Sequence, residues 1–241
     1  MMNLDLQALI LASLVITIGA TLQAATGLGA GMIAFPLIAL ISLDLVPGPL
    51  IFSTFFLSVY MAVKGRRNIR YTSMNKLMFG IIIGTIIGGY SLTFVPIDKL
   101  GIFFGILLLS VVAISVVGKK MPYTNKNMLG LGAAAGFMGI TVASGSPFVA
   151  LLYQYEKGPI IRATLSFIYL IACIITLLIL SLSNRFGIEE MVYGLCLTPG
   201  YLIGYMLSGK LSAYLDQGYT RIIILVVSSS SALALIIKHL Y

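Results

Sequence analysis

The chain has 241 residues, 59% of them hydrophobic and 9% charged, and a mean hydropathy of +1.07. These values exclude an ordinary soluble domain and fit an integral membrane protein. The net charge of +8 is no nucleic-acid footprint, because the basic residues are confined to short loops between apolar runs. It reads instead as a signal for orientation in a bilayer.

The first apolar run extends from Leu6 to Leu43. Its acidic flank, Asp5, and the lack of a basic leader argue against a signal peptide. Within it, 6–24 is long enough to cross a membrane and 29–42 is not. Between them lies TGLGAG, residues 26–31, with glycines at alternate positions, Gly27, Gly29 and Gly31. Each glycine weakens a helix by about 1 kcal/mol relative to alanine. In a bilayer, broken backbone survives only where protein or a water-filled cavity satisfies it. This break is therefore expected inside protein, next to a site.

A span at 48–64 leads into a loop with Lys64, Arg66, Arg67, Arg70 and Lys76, which is assigned to the cytoplasm. The charges are read first as an orientation signal and second as a contact for anionic lipid. Spans at 74–94 and 97–118 flank an outside turn near Asp98. Gly80, Gly84 and Gly88 recur every fourth residue and read as a helix-packing face. Lys119, Lys120 and Lys126 mark the next inside loop.

A second interruption, TVASGSP at 141–147, separates the short pieces 127–140 and 144–155. Pro147 suits the first turn of a new helix, with Ser144 or Ser146 as its cap. Spans at 159–182, 191–209 and 219–240 complete the chain. Asn184–Glu190 falls outside, Lys210–Arg221 inside, and both termini outside. Twelve of the fifteen Lys/Arg residues then lie inside and five of the seven acids outside.

The expected fold is an all-α polytopic membrane protein made of two inverted repeats. Each repeat has three spanning helices plus a broken or re-entrant helix pair, ten helical segments in all. Residues 1–118 form the first repeat, 119–126 a cytoplasmic linker and 127–241 the second. An odd number of spans per half turns the second half over. Weak internal similarity agrees: 26–40 aligns with 141–155, and 46–55 with 156–165. That alignment brings Pro49 over Pro159 and Thr54 over Thr164; Gly84 and Gly88 lie over Gly200 and Gly204.

No Asp or Glu falls within a span, so no carboxylate is available there to bind Na⁺ or relay protons. The lone His239 lies near the end, and Cys173 and Cys196 read as small packing residues. Neither a metal, a cofactor nor a catalytic set is implied. The expected binding residues are Gln23, Thr26, Gly27, Gly29, Gly31, Thr54, Thr141, Ser144, Gly145, Ser146, Arg162 and Thr164. Helices starting near Gly29 and Ser146 would present positive dipole ends and amide donors, an anion site without cationic side chains. Paired interruptions at matching positions of two halves point to a transporter's binding site. Gln23 is divided between binding and backbone support. Arg162 is divided between a membrane anchor and a cytoplasmic anion contact. Ser228–Ser231 reads as a packed helix face.

The motifs GLGAGMIAFPLIAL, VPGPLIFSTFFLSVYMAVKGRRNIR and SGSPFVALLYQYEKGPIIRATLSFIYL resemble the TauE/SafE sulfite exporter family over nearly the whole chain. The second break departs from the family pattern: Ala143-Ser144-Gly145-Ser146 stands where more glycines are usual, and no proline matches Pro36. The resemblance implies transport of a sulfur-containing anion, sulfite or an organosulfonate, across a bacterial inner membrane. The reading of the whole chain is a secondary transporter, an exporter, in which the broken pairs supply binding and movement of one half or of a bundle against the other supplies alternating access. The anion and the bilayer are the implied partners, nucleic acid is not, and a homodimer is left open. An anion channel and a structural membrane partner are the rival readings. Loss of the Thr26 or Ser144 hydroxyl is expected to weaken transport.

Overall fold

The computed structural model describes residues 6–26, 31–72, 74–117, 121–153, 156–215 and 219–240, without the side chains of Thr26, 210–215 and 219–221. These residues form ten α-helices and no strand. In chain order they are α1 (Leu6–Thr26), α2 (Gly31–Ile41), α3 (Gly48–Gly65), α4 (Met74–Phe94), α5 (Leu100–Val117), α6 (Asn125–Val142), α7 (Ser146–Tyr153), α8 (Gly158–Leu182), α9 (Ile188–Leu215) and α10 (Tyr219–Leu240). Seven segments are long and apolar enough to cross a membrane: Leu6–Ala25, Leu43–Asn68, Met74–Phe94, Ile97–Val117, Gly158–Leu182, Ile188–Gly209 and Ile222–Leu240. The chain is a multi-pass membrane protein. α4 turns Phe79, Ile86, Ile87, Tyr90 and Phe94 outward, a lipid-facing stripe opposite its glycines.

The expected elements recur with shifted ends. α6 gains residues at both ends relative to 127–140, whereas α7 is only eight residues long. The internal alignment locates the helix starts well: it superposes Gly31 on Ser146, the first residues of α2 and α7, and Gly48 on Gly158, those of α3 and α8.

Close backbone approaches set the helix directions. Side chains at Gly80, Gly84 and Gly88 would collide successively with Leu129, Ala133 and Phe137, so α4 and α6 run parallel. Gly200 and Gly204 likewise abut Ser13 and Thr17, so α9 and α1 run parallel. Gly101 and Gly105 of α5 meet His239 and Ile236 of α10, an antiparallel pair. The small residues let backbones approach, the main source of helix association in lipid.

The loops sort onto two faces. On one, Gly48 abuts Phe186, Arg185 donates to the Leu92 carbonyl at 2.6 Å, and Lys238 donates to the Leu40 carbonyl at 2.8 Å. On the other, Gly65 abuts Ala163, Arg70 pairs with Glu156, and the rings of Tyr123 and Tyr153 meet at 5.7 Å. This second face carries Lys64, Arg66, Arg67, Arg70, Lys157 and Arg162; Asp44, Asp98, Glu189 and Glu190 lie on the first. The partition is the one the charge pattern predicts.

Candidate functional site

The two breaks meet inside the protein. α6 ends at Val142, and Ala143 then adopts a left-handed conformation (φ 49°, ψ 28°). The Ala143 and Ser144 amides both donate to the Met138 carbonyl, a C-terminal cap that satisfies one freed backbone acceptor. The Ala143 carbonyl lies directly against Gly31, the first residue of α2, and a methyl group at Gly31 would overlap it. Only a glycine there lets the start of α2 reach the end of α6.

Proline in α2 creates a further need. Pro36 has no N–H to offer the Met32 carbonyl one turn earlier. The buried Ser228 hydroxyl of α10 donates to that carbonyl at 2.7 Å. At the far end of α2, Lys238 of the same helix reaches the Leu40 carbonyl. Phe35 adds an edge-to-face contact with Phe104 of α5 at 5.1 Å. The short helix is thus held by side chains from two longer ones.

Where the breaks meet there is a cavity of ≈ 80 Å³. One water needs about 10–15 Å³ on this scale, so the space suits a guest of several heavy atoms. Gly31 at the start of α2, with Gly145 and Ser146 at the start of α7, line it. Gln23 of α1, Thr54 of α3, and Tyr169, Cys173 and Thr176 of α8 add polar groups; the remaining wall is apolar. No lining residue is acidic or basic. The Tyr169 hydroxyl is buried and completes no hydrogen bond, and the Ser146 hydroxyl is the polar group it faces. Thr54 donates to the Leu50 carbonyl at 2.8 Å and meets the Tyr201 hydroxyl at 2.6 Å.

Of the residues expected at the site, Gln23, Gly31, Thr54, Gly145 and Ser146 therefore converge on one cavity. Gly27 and Gly29, and the side chain of Thr26, lie outside the described residues. Thr141 is buried and donates to the Phe137 carbonyl at 2.7 Å within its own helix. Ser144 is fully buried, is not a lining residue, and its hydroxyl has no partner, so it does not cap α7. Thr164 accepts from the Arg70 amide at 3.0 Å and pins the basic loop. Arg162 lines a separate space on the basic face.

The family model described as sulfite exporter TauE/SafE matches residues 11–235. The chain belongs to the TauE/SafE family. Neither the curated proteins nor the solved structures compared with it match. The family is one of membrane transporters, and it implies export of sulfite or a related anion. The TauE/SafE match covers both breaks and every residue around the cavity.

Sequence reasoning missed Tyr169, Thr176 and Tyr201 in this TauE/SafE protein, and it missed the bond from Ser228 to α2. A hydroxyl on a long uninterrupted span carries no local sign of which face it occupies. Pro36 was the available signal for Ser228, because a buried helix containing proline leaves a carbonyl for another helix to satisfy.

Proposed function

We propose that this protein is a secondary transporter, an exporter of a small oxyanion such as sulfite or an organosulfonate, and that the cavity between the two breaks is its binding site. The observation that carries the reading is the convergence of two helix N-termini on an uncharged, closed-in space. Helix N-termini carry about half a positive charge each and unpaired amides. Together with the Ser146, Tyr169 and Thr176 hydroxyls they offer an anion donors without a buried cation.

The packing supports alternating access. α1 lies on α9 as α6 lies on α4, α1 pairs with α2 as α6 with α7, and α3–α8 and α5–α10 cross the middle. Exchanging residues 1–118 for 127–241 leaves these pairings unchanged, which supports the reading of two inverted repeats. The cavity lies where the halves touch, so rocking one against the other opens it to alternate sides. The basic face is cytoplasmic, both termini lie outside, and the membrane is the cell's inner membrane. A proton can travel on the anion itself, since sulfite titrates near neutral pH.

The test is uptake into liposomes holding the purified protein, with sulfite, taurine-like sulfonate, sulfate and acetate compared in parallel. Saturable sulfite or sulfonate flux, reduced by Ser146→Ala, supports the reading. A flux of cations alone, or equal flux by the Ser146→Ala variant, defeats it.

A further inference from the structure

A second space of ≈ 350 Å³ opens on the basic face. It lies between the inner ends of α1, α3, α8 and α9 and is lined by Ala25, Lys64, Asn68, Arg162, Tyr205 and Ser208, among others. Among the described residues that line it, both charged ones are cations. The acid of this face nearest in sequence to Arg162, Glu156, is engaged by Arg70 instead.

Neither cation is neutralised by its contacts. The Lys64 ammonium sits 5.3 Å from the centre of the Tyr205 ring and 5.8 Å from that of Tyr60. The two rings meet edge to face at 4.8 Å. Such rings hold an ammonium in place and leave its charge intact. Arg162 donates through Nη1 to the Ala25 carbonyl at 3.4 Å, again a neutral partner, and a guanidinium has further donors to offer. The first turn of α8, with Pro159 in the lining, adds the positive end of a helix dipole. A lysine that merely anchors a helix extends toward lipid headgroups. This one lies over Tyr60 of its own helix and Tyr205 of α9, beside an open space.

The space adjoins the binding cavity. Gln23 lines the cavity, and its neighbours Ala24 and Ala25 line the second space. Along α3 the step from Thr54 to Met61, which lines the second space, is about 10 Å.

We propose that this vestibule is a recruitment site for small oxyanions, in which Lys64 and Arg162 concentrate the anion at the threshold of the cavity. As a step in transport it rests on the anion reading of the cavity, but its attraction for anions can be measured alone. Asn68→Cys places a thiol in the vestibule; Cys196→Ser removes the exposed native thiol, while Cys173 is buried. The probes are two methanethiosulfonate reagents, one bearing a sulfonate and one a trimethylammonium group. The sulfonate reagent should be favoured about tenfold relative to the same ratio at 2-mercaptoethanol, an uncharged thiol, as expected for a focused positive potential. Lys64→Gln with Arg162→Gln should abolish that preference. Arg66→Gln with Arg67→Gln, on the same face but outside the vestibule, should keep it. Lys64→Arg with Arg162→Lys should also keep it, which separates charge from misfolding. No preference in the parent, or loss through Arg66 and Arg67 instead, overturns the proposal.

Transport gives the second readout. In vesicles of known orientation, Lys64→Gln with Arg162→Gln should raise KM for radiolabelled sulfite about tenfold from the basic face and leave it unchanged from the other. Ser146→Ala should raise KM from both. A Ser146→Ala effect without the Lys64/Arg162 effect removes the vestibule and keeps the cavity. If the parent carries no anion, the cavity reading fails while the thiol ratio still decides the vestibule.

Discussion

The two breaks solve the same problem by different means. In the second, the chain satisfies itself: Ala143 turns left-handed and two successive amides close on Met138. Past the first, in α2, help comes from outside, since Ser228 and Lys238 of α10 donate to the Met32 and Leu40 carbonyls. The returning helices differ accordingly, eleven residues in α2 with an internal proline and eight in α7 with proline near its start. A self-capped turn can move as a unit. A helix clasped by another must move with it or release its bonds. α2 is thus tied to α10, a helix of the other half, whereas α7 packs on its own hairpin and on α5 and α8. A rocking of the halves must therefore break or re-form the bonds between α2 and α10.

The contact between the breaks is the place to disrupt both. Gly31→Ala puts a methyl group into the Ala143 carbonyl, which is backbone and cannot rotate aside. Overpacking costs about 1–3 kcal/mol, and an immobile neighbour places this substitution at the upper end. The expected result is a melting temperature several degrees lower and no measurable anion binding in detergent. The aligned residue of the other half, Ser146, already bears a side chain and also lines the cavity. Normal binding by the Gly31→Ala protein would show that the breaks need not touch.

The dependence of α2 on α10 gives the next effect. Ser228→Ala leaves the buried Met32 carbonyl without a donor, a loss of about 1–3 kcal/mol. Pro36→Ala restores the helical N–H at the right place. In that background Ser228→Ala should cost far less, and the coupling between the two sites is read from thermal or denaturant unfolding of the four proteins. Additive effects would mean that the serine does not substitute for the missing amide.

A smaller change is expected at the cavity. Ser146→Ala removes one donor toward the anion and one polar group facing Tyr169. A single neutral hydrogen bond contributes about 0.5–1.5 kcal/mol. The anion dissociation constant should rise by about two- to tenfold, measured by equilibrium binding, with little change in melting temperature.

How much of this could be read beforehand follows from what periodicity and punctuation encode. Glycine and proline mark where helices start and stop: α3 and α7 start where expected, at Gly48 and Ser146, α8 starts one residue before the expected Pro159, and α2 starts at Gly31 where Gly29 was expected. Loop charges gave the two faces. The convergence of Gln23, Gly31, Thr54, Gly145 and Ser146 followed from assuming that matched breaks meet. The rotation of each span about its own axis was not encoded, because nearly every residue of a span is apolar and the polar ones are few. Thr141, Ser144 and Thr164 were therefore grouped with the site by proximity in sequence, while Tyr169 and Thr176 on α8 were passed over. Helix rotation is fixed by the glycine contacts of α4 with α6 and α1 with α9, which exist only in three dimensions.

Ser144 isolates that lesson in one substitution. Its position in the middle of the second break made it a candidate donor whose loss weakens transport. In the structure its hydroxyl is fully buried, unpartnered and away from the cavity lining. A buried hydroxyl without a partner costs about 1–3 kcal/mol of desolvation, which its removal returns. Ser144→Ala should therefore leave anion affinity unchanged and raise the melting temperature slightly, opposite in sign to Gly31→Ala and Ser228→Ala. The backbone of the turn survives the change, because the Ser144 amide, not its side chain, bonds the Met138 carbonyl. A clear loss of transport on Ser144→Ala, with the fold intact, would mean that the hydroxyl turns into the cavity during the cycle, and that the self-capped second break is the half that moves.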